Sequence, residues 1–417
     1  MDERRVIVTS NLRDPERLPD WASEYAVITD GLVERGVLNR LTELLMIKRK
    51  GGYVALDAFL FLVLFFTAQM KGGFKGLTES ISSWTERLGA VGSRCRMMTQ
   101  QSLSRLLSKV ETHHVDGGFM SWILQDASNA GEVLGDPNVA TFDSQGEPWN
   151  FFDFDGTLMV LRRRGLPEYH TLPEPDRLVD NSYAMAGYTG RKRGEVQLCR
   201  ETLQDSGSGV WLGLWCSPGD GDKARSVREA AKIVAGVQQA RNALGRGVMR
   251  FDGGYGSWHT LEACAAQEVH YLIRWNQYGI LNTQGVAAIR DQAEAWTRVE
   301  DSCSGPVRYA ADIGWLTSPD GNHRTRLVCS RYRDEGGNGS GHTIDGWMYE
   351  LYVTSVAAES WSADQMVTQF YGRVGQENRF AQEDNELALD TIFSTNIDAQ
   401  ALVTMVGLFV WNLRTAA

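Results

Sequence analysis

From NFFDF (150–154) to VHYLIRW (269–275) the chain sets three strand-like runs in succession and then alternates strand with helix. The first three runs are NFFDF, GEVQLCRETLQ and VWLGLWCS. A helix over Ala224–Leu244 follows, then the strand GVMRF, a helix starting near Ser257 and the strand VHYLIRW. This order specifies an α/β chain with a mixed sheet flanked by helices. Residues 1–137 read as an all-helical domain. Apolar residues fall at helical spacing over Gly31–Arg49, Asp57 can cap a buried helix over Ala58–Met70, and Leu77–Leu88 forms another. In TQQSLSRLLSKV, Leu103, Leu106, Leu107 and Val110 share one face, leaving Arg105 and Lys109 off it. Residues 138–277 hold the first part of the sheet core. Residues 278–346, with PVRYAADIGWLT, TRLVCSRYR and a Gly-rich loop, read as a β-rich insertion. Residues 347–417 return to the core with the strand WMYELYVTS, a long helix capped by a Ser362/Gln365 box, and an apolar helix over Asp398–Arg414.

Composition excludes several classes. The longest apolar run, Ala58–Phe66, is nine residues, too short to span a membrane. The N-terminal residues lack the apolar core of a signal peptide. The six cysteines form no CxxC pair and read as reduced thiols, which points to a cytoplasmic protein. Net charge is −10, yet Gly31–Val110 holds twelve Lys or Arg against five Asp or Glu. A basic helical segment on an acidic body suits a protein that grips an anion with one module. The Leu103–Val110 helix has the composition of one presented to DNA in a helix-turn-helix-like module.

Three acidic positions stand out. In WNFFDFDGT, Asp153 and Asp155 fall on one face of an extended strand, and Phe152 and Phe154 on the other. Carboxylates there are costly to bury without a cation or hydrogen bonds. Asp252 ends GVMRF and precedes Gly253, Gly254 and Gly256, which let a substrate come close. In FYGRVGQENRFAQED, helical spacing puts Phe370, Arg373, Glu377 and Asp384 on one face of one helix. Carboxylates from two strand ends and a helix can hold two divalent cations, which clamp the attacking and leaving oxygens of a phosphoryl transfer.

These motifs, DGT (Asp155–Thr157), RFDGGYGS (Arg250–Ser257) and FYGRVGQENRF (Phe370–Phe380), resemble those of the DDE transposases of insertion sequences, in the broad IS4-like group. The resemblance implies an RNase H-like core with a β-rich insertion between the second aspartate and the glutamate, and a helical domain that binds transposon ends. It implies Mg²⁺-dependent DNA cleavage and strand transfer, with Mn²⁺ as a substitute, Asp155, Asp252 and Glu377 as the metal-binding triad, and Arg373 beside a phosphate or Glu377. It further implies double-stranded DNA as partner, a homodimer on paired ends, and a bacterial, nucleoid-associated location. The signature tyrosine falls on Phe370, beside Tyr371, and the signature lysine falls on Asp384. Further DNA contacts are expected from Arg162, Arg163, Arg164, Arg191, Lys192 and Arg193, which can neutralise phosphates, and from Trp315, which can stack on a base.

Two other functions fit parts of the same pattern. A transposase-derived protein could bind DNA without cutting it. DFDGT also matches the nucleophile motif of haloacid-dehalogenase-type phosphatases, with Asp153 as nucleophile, Asp155 as acid/base, and Ser217–Asp222 as a second metal motif. The hairpin-like GYTGRKRGEVQLCRETLQ argues against the parallel sheet of that class.

Overall fold

The computed structural model describes residues 18–47, 52–68, 72–126, 140–162, 184–188, 193–219, 221–300, 306–334, 336 and 341–416, without the side chains of 161–162, 186–188, 193–195, 374–377, 379–380 and 416. Among the described residues seven helices come first: α1 (Ser23–Glu34), α2 (Val37–Leu44), α3 (Ala55–Ala68), α4 (Gly73–Ser80), α5 (Thr85–Val91), α6 (Gln100–Leu107) and α7 (Gly117–Ser121). Then come β1 (Thr141–Phe142), β2 (Pro148–Arg162), β3 (Met185–Tyr188), β4 (Arg193–Asp205), β5 (Trp211–Pro218), α8 (Lys223–Ala240), β6 (Gly247–Phe251), α9 (Trp258–Ala265) and β7 (His270–Trp275). The chain continues through α10 (Gln284–Arg290), β8 (Thr297–Arg298), β9 (Tyr309–Thr317), β10 (Arg324–Arg333), β11 (His342–Ile344) and β12 (Trp347–Thr354). It ends with α11 (Ala363–Tyr371), α12 (Val374–Leu387) and α13 (Ile397–Ala416).

The expected mixed sheet flanked by helices is present. Its central path runs β5-β4-β2-β6-β7. Strand β4 pairs antiparallel with β2, β3 and β5, whereas β6 and β7, each reached through a helix, lie parallel to β2. The β-rich segment adds to the same sheet: β12 pairs antiparallel with β7 and with β10, and β10 pairs with β9. Strand alternation divides the core. Phe152 and Phe154 of β2 pack with residues of α8 and α9, while Trp149 and Phe151 pack with residues of α11 on the opposite face.

Several helices differ from the sequence expectation. Gly36 sits at φ 70° and divides Gly31–Arg49 into the end of α1 and all of α2. Leu77–Leu88 is likewise two helices, α4 and α5, joined by a turn. The apolar helix starts earlier than expected, and Asp57 lies inside its first turn. From there its carboxylate accepts the Val54 N–H at 2.6 Å and receives both prongs of Arg94, at 2.6 and 3.1 Å. Helix α3 is buried on all sides, as its lack of a polar stripe requires, and packs on α1 and α13. Helix α13 also packs on β5. There Asn412 receives the Trp211 N–H at 2.9 Å and donates to the carbonyls of Trp211 and Leu124. Among the described residues no single helix is long and apolar enough to cross a membrane.

The helix expected to begin at Ser362 has its capping box but breaks at Gly372–Arg373. The Gln369 carbonyl, which would accept the Arg373 N–H in a continuous helix, accepts Arg250 Nη1 instead. The Arg373 N–H turns to the Phe370 carbonyl at 3.2 Å. A Cβ at Gly372 would meet Arg250 Nη1 at 2.7 Å, so glycine leaves room for the guanidinium. Phe370, Arg373 and Glu377 therefore do not share one helix face: Phe370 ends α11, Arg373 is the joint, and Glu377 and Asp384 belong to α12.

Candidate active site

Strand β2 does not end at Asp155, as the sequence suggested. It runs on to Arg162 along β4, while its parallel partner β6 stops at Phe251, opposite Phe154. Asp155 thus lies where the β2–β6 ladder ends. The next residue of the departing strand is Asp252. The proximity of the two carboxylates is felt electrostatically. Burial raises the Asp155 carboxyl above its usual range, Arg373 opposes that shift, and the charge of Asp252 adds to it. Arg373 Nη1 lies 2.7 Å from Asp155 Oδ2, and the Gly156 N–H donates to Asp155 Oδ1 at 2.8 Å.

Asp153 has a different environment. Its side chain is 1% exposed and is gripped by Arg250, Nε to Oδ1 at 2.6 Å and Nη2 to Oδ2 at 2.8 Å. Arg250 also donates to Ser206 Oγ at 2.6 Å. Asp153 is therefore a buried structural ion pair, whereas the Asp155 side chain is 17% exposed.

The turn after β6 is fixed from below. Asp252 accepts the Gly254 N–H at 2.8 Å, and Tyr255 donates to Glu201 Oε1 at 3.0 Å. A Cβ at Gly156 would meet the Tyr255 hydroxyl at 2.8 Å, so the glycine of DGT makes room for the tyrosine of RFDGGYGS. Glu201, on β4, is fully buried, which raises its carboxyl above the usual range against hydrogen bonds from Ser226 and Tyr255. Lys223, the first residue of α8, donates to the Gly254 carbonyl at 3.0 Å and lies 4.9 Å from the Tyr255 ring centre. Sequence reading missed Glu201, Tyr255 and Lys223. An acid inside a strand, and a lysine at the first position of a helix capped by Asp222, were the available signals.

Phe370 is packed against Tyr352, with ring centres 4.8 Å apart, and Tyr371 donates to Glu350 at 2.5 Å. Both hold α11 to the sheet. Asp384 turns inward: Arg200, fully buried on β4, meets Asp384 at 3.3 Å and Glu383 at 3.0 Å. Arg105 and Lys109 are exposed beside buried Leu103, Leu106 and Leu107, as expected. Trp315 is 55% exposed and carries Arg324 over its ring at 4.7 Å. Arg163, Arg164, Arg191 and Lys192 lie outside the described residues, as do the side chains of Arg162, Arg193 and Glu377.

Two acids around one buried guanidinium leave one carboxyl without a full counter-charge. Burial is the main cause that raises Glu383, to about 8; Arg200 opposes the shift and Asp384 adds to it. A raised carboxyl holds its proton in the folded state after the unfolded state has released it. Stability from this group is complete below the ordinary glutamate value and declines as pH rises toward about 8. Glu383→Gln is expected to flatten that decline. Thermal midpoints at pH 5 and pH 8 should differ less in the variant than in the parent protein; an equal difference contradicts the assignment.

No protein-family model matches this chain, and no curated protein matches it. Among solved structures it is similar to the piggyBac transposase synaptic complex with hairpin DNA, at 11% identity and a TM-score of 0.41. That alignment covers 98% of this chain and 77% of the other.

Proposed function

We propose that the chain is a DDE-type DNA transposase that cleaves DNA at transposon ends and joins the freed end to target DNA. The observation that carries this reading is the juxtaposition of Asp155 and Asp252 where two parallel strands diverge, with Arg373 entering from the joint between α11 and α12. Three antiparallel strands, two parallel ones, and a β-rich extension before the acidic helix are in keeping with an RNase H-like core. The triad is Asp155, Asp252 and Glu377. The DNA is double-stranded, and two copies of the chain act on paired ends.

The donor set suits hard divalent cations. Asp155 and Asp252 offer carboxylate oxygens, and their mutual repulsion is what a cation relieves. Mg²⁺ bound by them, with Glu377, would stabilise the charge on the oxygens of the phosphodiester. The protein's own groups do the remaining work. Arg373 pairs with Asp155 and opposes the effect of burial on its carboxyl, and the Asp252–Gly254 turn orients the second carboxylate. Exposed Arg105 and Lys109 on α6 give the helical segment cations for phosphate contact, and Trp315 gives the β-rich extension an exposed aromatic face.

Incubating the protein with duplex DNA that carries the flanking ends of its own element, with Mg²⁺ and with EDTA, tests this reading. Nicking at the end, lost in EDTA, is the expected result. End-specific binding without nicking would assign a DNA-binding protein derived from a transposase. Buried Asp153, held by Arg250, argues against the phosphatase alternative, which needs that carboxylate exposed to substrate.

A further inference from the structure

We infer that Lys223 contacts the phosphodiester at the candidate active site, placing its ammonium beside Asp252; the inference rests on the DNA-cleavage reading above. A phosphate brought to two carboxylates needs cationic partners. Among the described residues, three arginines around the site grip acids: Arg373 holds Asp155, Arg250 holds Asp153, and Arg200 holds Glu383 and Asp384. Lys223 is placed differently. It is half-buried, and its described hydrogen bond goes to a backbone carbonyl, that of Gly254, at 3.0 Å. An ammonium has three donors, so the others can serve a ligand.

The space it faces is defined by Gly254. A Cβ there would meet Asp252 Oδ1 at 3.0 Å and Lys223 Nζ at 3.3 Å. Gly254 is itself exposed, so the gap between carboxylate and ammonium opens outward. An incoming phosphate oxygen in that gap meets the lysine on one side and the Asp252 site on the other. The lysine is held for this role. The ring of Tyr255 lies beneath it, and Tyr255 is fixed by its hydrogen bond to buried Glu201. A cation ordered before the substrate arrives costs less reorganisation during reaction than a freely moving surface lysine.

The test uses the full chain and duplex DNA bearing the element's ends, and compares the parent protein with Lys223→Met, Lys223→Arg and Asp252→Asn. Lys223→Met is expected to slow nicking about 100-fold. It should also reduce the slope of log affinity against log salt by about 0.9, the loss of one phosphate contact. Lys223→Arg should recover most of the rate. Lys223→Met nicking at the parental rate overturns the inference while the cleavage reading stands. Slowed nicking with an unchanged salt slope also overturns it, because the lysine would then only support the turn. No nicking by the parent protein overturns the cleavage reading, and this inference with it.

Discussion

Asp252→Asn is expected to reduce end cleavage by about 1,000-fold or more, corresponding to about 4 kcal/mol of transition-state stabilisation. The substitution isolates charge from structure. The Gly254 N–H donates to Asp252 Oδ1 at 2.8 Å, and the asparagine carbonyl oxygen can accept the same bond. The turn should therefore persist while the anion proposed to bind a cation is lost. A second consequence follows at Asp155. Its carboxyl is raised first by burial and further by the charge of Asp252. Removing that charge should lower the pH at which Asp155 ionises, which a carboxyl-resolved NMR titration can follow. Cleavage within threefold of the parent protein would remove Asp252 from the triad.

Arg250→Met is expected to destabilise the fold by about 3–5 kcal/mol, the range for breaking one partner of a buried ion pair. Arg250 and Asp153 have side chains 2% and 1% exposed, so the uncompensated carboxylate has no access to water. The same guanidinium holds Ser206 and the Gln369 carbonyl. Its loss therefore loosens the junction of β2, β6 and α11 and the break that presents Arg373 to Asp155. Pairing Arg250→Met with Asp153→Leu should recover much of the stability, since a matched apolar pair avoids the buried charge. Chemical denaturation of the single and double variants checks both statements. A single variant within about 1 kcal/mol of the parent contradicts the role assigned to Arg250.

The sheet was legible because its strands are long, apolar and separated by turn residues or amphipathic helices. GVMRF is a strand over Gly247–Phe251, VHYLIRW one over His270–Trp275, and Ser257 caps the helix between them. The alternation in WNFFDFDGT also placed Phe152 and Phe154 opposite Asp153 and Asp155. Less legible were features that depend on partners remote in sequence. Asp153 and Asp155 share a strand face and only the following Gly-Thr singles out Asp155 in the sequence; that Asp153 is a buried ion pair depends on Arg250 of β6, and the pairing of Asp155 on Arg373 from beyond the β-rich extension. The break between α11 and α12 follows from Arg250 occupying a helix carbonyl, which helical periodicity cannot reveal. Asp384 read as a missing cation because its partner, Arg200, lies on another element.

The most direct measurement of the central claim is Mn²⁺ binding, followed by the electron paramagnetic resonance of the free ion, in the parent protein, Asp155→Asn and Asp252→Asn. The parent protein is expected to take up Mn²⁺ saturably, in competition with Mg²⁺, and each variant to lose that uptake while keeping its fold. Equal uptake by all three proteins would contradict the assignment of Asp155 and Asp252 as a cation site.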